Sequence, residues 1–354
     1  MRRALVPWFA SRLAVAIAVL AAAAQLPGRL GVLDGWDSWD VTVLRKIAEF
    51  GYTGYPRHYP DRDVAAFFPG FPLVLRATHL LVPDWTAAGL LVSLVAGAVA
   101  SVSLARLAAR DGVDGPTAVL CLVLSPYAVF LAAGYSEALF LAVALPGWLL
   151  ARQGRWAGAS LLVAAACTVR VNGAFLAAGL VVLFLTTDRP WRQAPWLLAP
   201  GLALLGYAGY LHHLTGDWLR WQHAQAAGWG RHLTDPLSSL RATLRFAAQP
   251  GLGAEYVWSL RAEVVSVLVG LAVTGVLVRR RRWGEAVYVG LSVGALATST
   301  YYLSVGRATL LWFPLWVLLA EACRRTWVRL ACLAVGPALM VVAVLTFTGG
   351  RWVD

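Results

Sequence analysis

Residues 86–105, TAAGLLVSLVAGAVASVSLA, form an uncharged apolar stretch bounded by Asp84 and Trp85 on one side and by Arg106 and Arg110 on the other. A helix of that length rises about 30 Å, the thickness of a bilayer's hydrocarbon core. Ten further apolar blocks repeat the theme, at about 8–26, 116–131, 137–151, 156–169, 174–187, 195–214, 262–278, 286–303, 308–322 and 330–348. Several are shorter than a standard span, which suits tilted partners or half-helices. The pattern predicts an all-α polytopic membrane protein of about eleven transmembrane helices, forming one integral membrane domain over 1–354.

Composition agrees. Of 354 residues, 59% are hydrophobic and 14% charged, against about a quarter charged in soluble domains. The net charge of +12 does not gather into a patch or stripe, so nucleic acid is not an expected partner. Instead the basic residues punctuate the apolar blocks. Cys121, Cys167, Cys323 and Cys332 show no CxxC spacing and read as small core residues, not as a disulfide frame or metal site. The histidines form no HExxH-type arrangement, and no metal ligand set is signalled.

Charge then orients the chain. With the N-terminus in the cytoplasm, alternate connections receive Arg2, Arg3, Arg12, Arg106, Arg110, Arg152, Arg155, Arg189, Arg192, Arg279 to Arg282, Arg324, Arg325 and Arg329. Those sixteen basic residues face five acids, Asp111, Asp114, Asp188, Glu285 and Glu321, whereas fourteen basic residues and thirteen acids fall outside. Short, densely basic cytoplasmic connections are the condition under which this rule sets topology. The start also resembles a signal peptide, but cleavage would break the alternation, so an uncleaved first helix is expected.

Two long extracytoplasmic loops follow, about 27–85 and 215–261, rich in Trp, Tyr, Asp, Arg and His. In the first, Asp34-Gly35-Trp36-Asp37-Ser38-Trp39-Asp40 precedes VTVLRKIAEFGY. Val41, Leu44, Ile47 and Ala48 share one helical face with Arg45, Lys46 and Glu49 off it, predicting a short amphipathic interfacial helix ended by Gly51. The three acids suit helix capping and first-turn dipole pairing. Interleaved with tryptophans at a membrane surface, they also suit a partly desolvated base. The two prolines of Phe67-Phe68-Pro69-Gly70-Phe71-Pro72 argue against a regular helix and for a bent or re-entrant segment.

Further outer-face candidates are Tyr135-Ser136-Glu137 at a span start, Arg170 and Asn172 between spans, and the stretch from Trp221 through Gln225 and Trp229 to Arg231. Near-membrane charges are functional candidates, although Glu137 and Arg170 also suit structural partnership. An aromatic belt explains Trp221 and Trp229 equally well. Arg307, alone on the outer side between two apolar spans, suits bidentate phosphate binding.

Taken in order, these segments resemble the PIG-V family, the second mannosyltransferases of GPI-anchor assembly, and its bacterial relatives, which are GT-C glycosyltransferases. The family pattern places Trp-Asp, a spacer, Ile-Ala, Gly-Tyr and a later Phe-Phe-Pro-x-x-Pro. Here those are Trp39-Asp40, Ile47-Ala48, Gly51-Tyr52 and Phe67 to Pro72. Order and spacing match over roughly 30–315. Counting back from Ile47, the resemblance assigns the family's acid to Asp40 and leaves Asp37 as an additional carboxylate. The chain departs at Val43-Leu44, where the family often has a second aromatic.

The resemblance implies a GT-C bundle and an inverting transfer of mannose from polyprenyl-phosphate-mannose at the extracytoplasmic face of the cell membrane. Asp40 would act as base, with Asp37 as the alternative. Arg307, Arg170 and Arg231 would face the donor phosphate. Trp36, Trp39, Phe67, Phe68, Pro69, Tyr135, Glu137, Asn172, Gln225 and Trp229 would line the substrates. It implies no nucleotide or metal cofactor and leaves the acceptor open among a lipid, a glycan and a protein. A transporter or flippase of lipid-linked sugars is the competing reading, since broken helices and buried charges serve transporters too. Against it stand the absence of an evident internal repeat and the gathering of polar residues on one side. A non-catalytic partner subunit would leave the acids and outer arginines without a task.

Overall fold

The computed structural model describes residues 2–25, 32–53, 63–187 and 191–353. Residues 27–31 and 54–62 of the expected first loop, and Asp188 and Arg189 of an expected cytoplasmic turn, lie outside the described residues. In chain order the helices are α1 (Arg2–Gln25), α2 (Asp40–Phe50), α3 (Gly70–His79), α4 (Trp85–Arg110), α5 (Gly115–Val123), α6 (Ser136–Ala151), α7 (Trp156–Val169) and α8 (Asn172–Thr186). After these come α9 (Ala199–Thr215), α10 (Arg220–Trp229), α11 (Pro236–Ala247), α12 (Ala254–Arg279), α13 (Trp283–Ala297), α14 (Val305–Ala308), α15 (Phe313–Ala322) and α16 (Thr326–Thr348). Among the described residues there is no β-strand, only an isolated bridge between Leu233 and Ser299.

Among the described residues, five segments are long and apolar enough to cross a bilayer: α1, α4, Trp191–Thr215, α12 and α16. Val305–Leu311 and Phe313–Ala322, bent by 80°, add a sixth if they act as one span, and α6, α7 and α8 are shorter apolar helices. The chain is therefore an all-α, multi-pass membrane protein. Every one of the eleven apolar blocks carries helix, but three depart from the expected continuous spans. Block 116–131 stops at Val123 and resumes as a 3₁₀ turn at Ala128–Leu131, because Pro126 disfavours the α conformation in the residue before it. Block 286–303 ends at Ala297. Block 308–322 breaks at Trp312, and Pro314 sits in the first turn of the restarted helix, where its missing N–H is harmless.

The chain divides into two compact units. Unit 1 comprises residues 1–49, 71–149 and 310–353. In it α1 packs on α4, α5 and α16. Trp8 Nε1 donates to the Leu94 carbonyl at 3.2 Å, and the Arg12 guanidinium lies 4.5 Å from the Trp8 ring centroid. Ser93 Oγ donates to the Ala133 carbonyl at 2.6 Å, fixing the turn that precedes Tyr135. Of the four cysteines expected as separate core residues, Cys121, Cys323 and Cys332 meet here.

Unit 2 comprises, among the described residues, 50–53, 63–70, 150–187 and 191–309. Its core pairs α8 with α13, α12 with α13, and α7 with α8 and α9. At the start of α13 the buried Glu285 is bracketed by Arg282 and by Arg152, the latter at 3.8 Å. A buried carboxylate needs such partners, since stripping water from an unpaired charge costs several kcal/mol or more.

Candidate active site

The amphipathic helix forms where the pattern placed it. α2 starts at Asp40 and ends before Gly51, whose φ of +76° is the left-handed conformation that glycine adopts without a Cβ penalty. Val41, Leu44, Ile47 and Ala48 are buried as expected. Val43 and Lys46 are buried too, with Lys46 only 2% exposed. That corrects the expectation that Lys46 lies off the packed face. A long basic side chain buries its methylene stem readily when its head finds polar surroundings, which binary patterning does not register.

Asp40 occupies the first position of α2, half-buried. Its N–H, one of the donors that a helix start leaves without an intrahelical acceptor, donates to the Tyr135 hydroxyl at 3.2 Å. Tyr135 is 2% exposed and packs against Phe130 and Phe347, at 5.0 and 5.8 Å between ring centroids. The residue before the helix, Trp39, holds a φ of +59°. For a bulky side chain that is a strained conformation, kept only where surroundings over-determine it. Trp352 supplies part of that restraint, its ring meeting Trp39 edge-on at 4.9 Å. Gly35 lets the preceding turn approach α16 closely, since a Cβ there would lie 2.7 Å from the Thr348 carbonyl.

The acids flanking Asp40 differ from it in setting. Asp37 closes the 3₁₀ turn Asp34–Trp36 with its N–H on the Asp34 carbonyl, and its carboxylate is salt-bridged to Arg45 of α2. Asp34 is exposed. Trp36 is 6% exposed and packs on Phe347 at 5.9 Å, so it anchors the turn, whereas Trp39 remains half-exposed. Glu137, fully buried, lies in the first turn of α6, two residues beyond Tyr135. Unit 1 thus gathers Asp40, Tyr135, Trp36 and Trp39 around the end of α16. Phe347 and Trp352 join them without having been singled out from sequence; the available signal was aromatic residues closing the last apolar block.

Unit 2 holds the Phe-Phe-Pro segment. Phe67 and Phe68 follow a 3₁₀ turn, Val64–Ala66, in extended conformation, and α3 begins directly at Gly70. Pro72 falls in its first turn, where its missing N–H would have had no intrahelical acceptor. The two prolines therefore bend the segment without excluding a helix, correcting the earlier expectation. Its main-chain carbonyls are heavily used. Tyr207 Oη donates to Ala65 and Phe67 at 3.0 and 2.8 Å, Tyr52 Oη to Phe67 at 2.7 Å, and Trp221 Nε1 and Gln225 Nε2 to Ala66 at 3.2 and 3.1 Å. Burial pushes the Tyr52 pKa up, so its hydroxyl stays protonated and donating. Phe68 packs on Tyr207, and Phe67 on Trp229. The Gly51-Tyr52 and Phe-Phe-Pro motifs are thereby parts of one cluster, with Gln225 and Trp229 clamping it. Arg220 adds an ion pair to Asp63 at 2.6 Å.

Arg231 and Arg307 sit on neighbouring segments of the same unit. Arg231 Nη2 donates to the Leu303 carbonyl at 3.2 Å, Thr234 N–H to Thr298 at 2.7 Å, and His232 N–H to Thr300 Oγ1 at 3.0 Å. Arg307 is 9% exposed in the single-turn helix α14, entered through Ser304 at φ +63°. Below it, Glu263 of α12, 1% exposed, accepts the N–H groups of Val305 and Gly306 at 2.6 and 3.3 Å. Glu263 was not singled out from sequence, although an acid inside the apolar block 262–278 is a recognisable signal. Arg170, in extended conformation, ends α7, and the buried Asn172 opens α8. The structure thus brings Gln225 onto the Ala66 carbonyl and Trp229 onto Phe67, and Arg231 onto the segment that precedes Arg307.

Comparison with known proteins follows the same residues. Residues 24–187 match the mannosyltransferase family of the PIG-V type. The PIG-V match takes in Asp40, Phe67 to Pro69, Tyr135, Glu137, Arg170 and Asn172, and ends before Gln225, Trp229, Arg231 and Arg307. The chain is similar to proteins called GPI alpha-1,6-mannosyltransferase 2, at 38% identity for the Mus musculus protein, 39% for that of Rattus norvegicus and 38% for that of Homo sapiens. The matched stretch covers 40% of this chain and 30% of the length of each of these relatives. No solved structure matches the chain.

Proposed function

We propose that the protein is an inverting mannosyltransferase of GT-C type, taking mannose from polyprenyl-phosphate-mannose at the extracytoplasmic face of the cell membrane. The observation that carries this is the PIG-V match over 24–187, with Asp40 held at the head of α2 on the Tyr135 hydroxyl. The acceptor is a lipid, glycan or protein hydroxyl.

In the proposed reaction Asp40 takes the proton of that hydroxyl while its oxygen attacks the anomeric carbon and the bond to the lipid phosphate breaks. General-base assistance of this kind is worth about 10²–10⁴-fold. The phosphate leaves carrying both bonding electrons, and Arg307, with Arg170 and Arg231, stabilises its charge as fixed cations do in a water-poor site. A single displacement on a β-linked donor yields an α-mannoside, which accords with the linkage in the relatives' names. Trp39, half-exposed, offers a face for stacking on sugar, and Phe67 to Pro69 are assigned to the substrates by the resemblance. The proposed orientation puts the arginine-rich turns and the N-terminus in the cytoplasm.

Purified protein in vesicles, given radiolabelled polyprenyl-phosphate-mannose and a panel of acceptors, tests the reading. Transfer of label to an acceptor supports it. Movement of intact donor across the bilayer with no transfer would establish the flippase instead.

A further inference from the structure

Three cysteines far apart in sequence converge in unit 1. The sulfurs of Cys121 (α5) and Cys323 (end of α15) are 3.9 Å apart, as are those of Cys323 and Cys332 (α16). All three lie within 4.8 Å of one another, two buried and Cys332 half-buried, and all are free thiols. The proposed transfer uses none of them.

We infer that this triad binds one soft, thiophilic d¹⁰ cation, of the Cu(I) or Zn(II) class. Thiolate sulfur selects such ions over hard cations. A metal–sulfur bond of about 2.3 Å places sulfurs about 4 Å apart around one centre, the separation found for both Cys323 pairs; the Cys121–Cys332 pair, within 4.8 Å, would close by a small side-chain adjustment. Each sulfur comes from a different helix. Cys121 and Cys332 both lie six residues inside helices that begin at Gly115 and Thr326, about 9 Å along each axis, and Cys323 caps a third at the same end.

The ion itself would ionise the thiols, since a coordinating thiol is deprotonated outright. Arg324 and Arg325 directly follow Cys323, and Arg324 Nη2 donates to the Gly112 carbonyl at 2.7 Å, holding the α4–α5 turn over this end. In the proposed orientation this end is cytoplasmic, where thiols stay reduced. A bound ion would pin α5, α15 and α16 together and release protons on binding.

The test is titration of the reduced, metal-stripped full-length protein with Cd²⁺, a spectroscopic stand-in, followed by sulfur-to-metal charge-transfer absorption and thermal melting. One equivalent should develop the band and raise Tm, because a ligand that binds only the folded state stabilises it. Cys323→Ser and, separately, Cys332→Ser should weaken binding at least about tenfold, while Cys167→Ser should leave it unchanged. The inference is overturned if wild type develops no band at one equivalent, if the band survives Cys121→Ser/Cys323→Ser, or if two of the three cysteines are isolated as a disulfide. These readouts use neither donor nor acceptor, so they stand apart from the transfer assay.

Discussion

The main-chain N–H of Asp40 donates to the hydroxyl of Tyr135, 95 residues further along the chain, at 3.2 Å. That bond ties the first turn of α2 to the segment that opens α6, and it sets the position of the Asp40 carboxylate through its own backbone. Tyr135→Phe keeps the ring packing against Phe130 and Phe347 but removes the acceptor. A net hydrogen bond is worth about 1 kcal/mol, or about fivefold in rate. Steady-state kinetics should show kcat falling by about that factor with acceptor KM little changed and only a slight loss of Tm.

Glu263 clamps the turn that carries Arg307. Glu263→Gln keeps the shape of the side chain but replaces charge-assisted acceptance with a neutral carbonyl. Hydrogen bonds to charged groups are worth about 1.5–3 kcal/mol against about 1 for neutral ones, so donor use should fall by about tenfold in kcat/KM. Glu263→Asp, which retains charge but shortens the reach, should be partly active; equal loss in both variants would argue against a charge-dependent clamp.

Tyr52 and Tyr207 share one acceptor, the Phe67 carbonyl. Each Phe substitution alone leaves that half-buried carbonyl one donor, so each should cost little. Removing both strips it, at about 1–3 kcal/mol. A double-mutant cycle on thermal or denaturant stability should show coupling of about 0.5 kcal/mol or more.

Between α9 and α10, the hydrogen bond from His223, 2.6 Å away, holds the Asp217 carboxyl below its ordinary pKa. A depressed carboxylate contributes stability that is fully present above its unfolded pKa and is lost as pH falls through its folded pKa. Wild type and Asp217→Asn should therefore differ in melting at neutral pH and converge under acid conditions below the ordinary carboxylate range. Exposure of the pair keeps the difference small.

Much of this arrangement was legible in the residues. The apolar blocks located every helix long enough to span, and Asp40 to Gly51 announced α2 and its stop. What escaped was set by contacts distant in sequence. Nothing in VTVLRKIAEF distinguishes Lys46 as buried, because patterning treats a lysine stem as polar. Trp36 looked like a sugar platform until Phe347 covered it. Gln225 and Trp229 looked like belt residues or substrate ligands, and their hold on the Phe67 segment depends on how α10 folds back. The cysteines carried no motif, since their nearness comes from three helix ends meeting.

The central claim rests on Asp40, and the most direct measurement is the rate of mannose transfer from polyprenyl-phosphate-mannose by Asp40→Asn beside Asp37→Asn, both verified as folded by their melting curves. The account predicts that Asp40→Asn loses about 10²–10⁴-fold in kcat, while Asp37→Asn, missing only a bridge to Arg45, stays within about tenfold of wild type. Near-wild-type transfer by Asp40→Asn, with transfer abolished in Asp37→Asn, would contradict it.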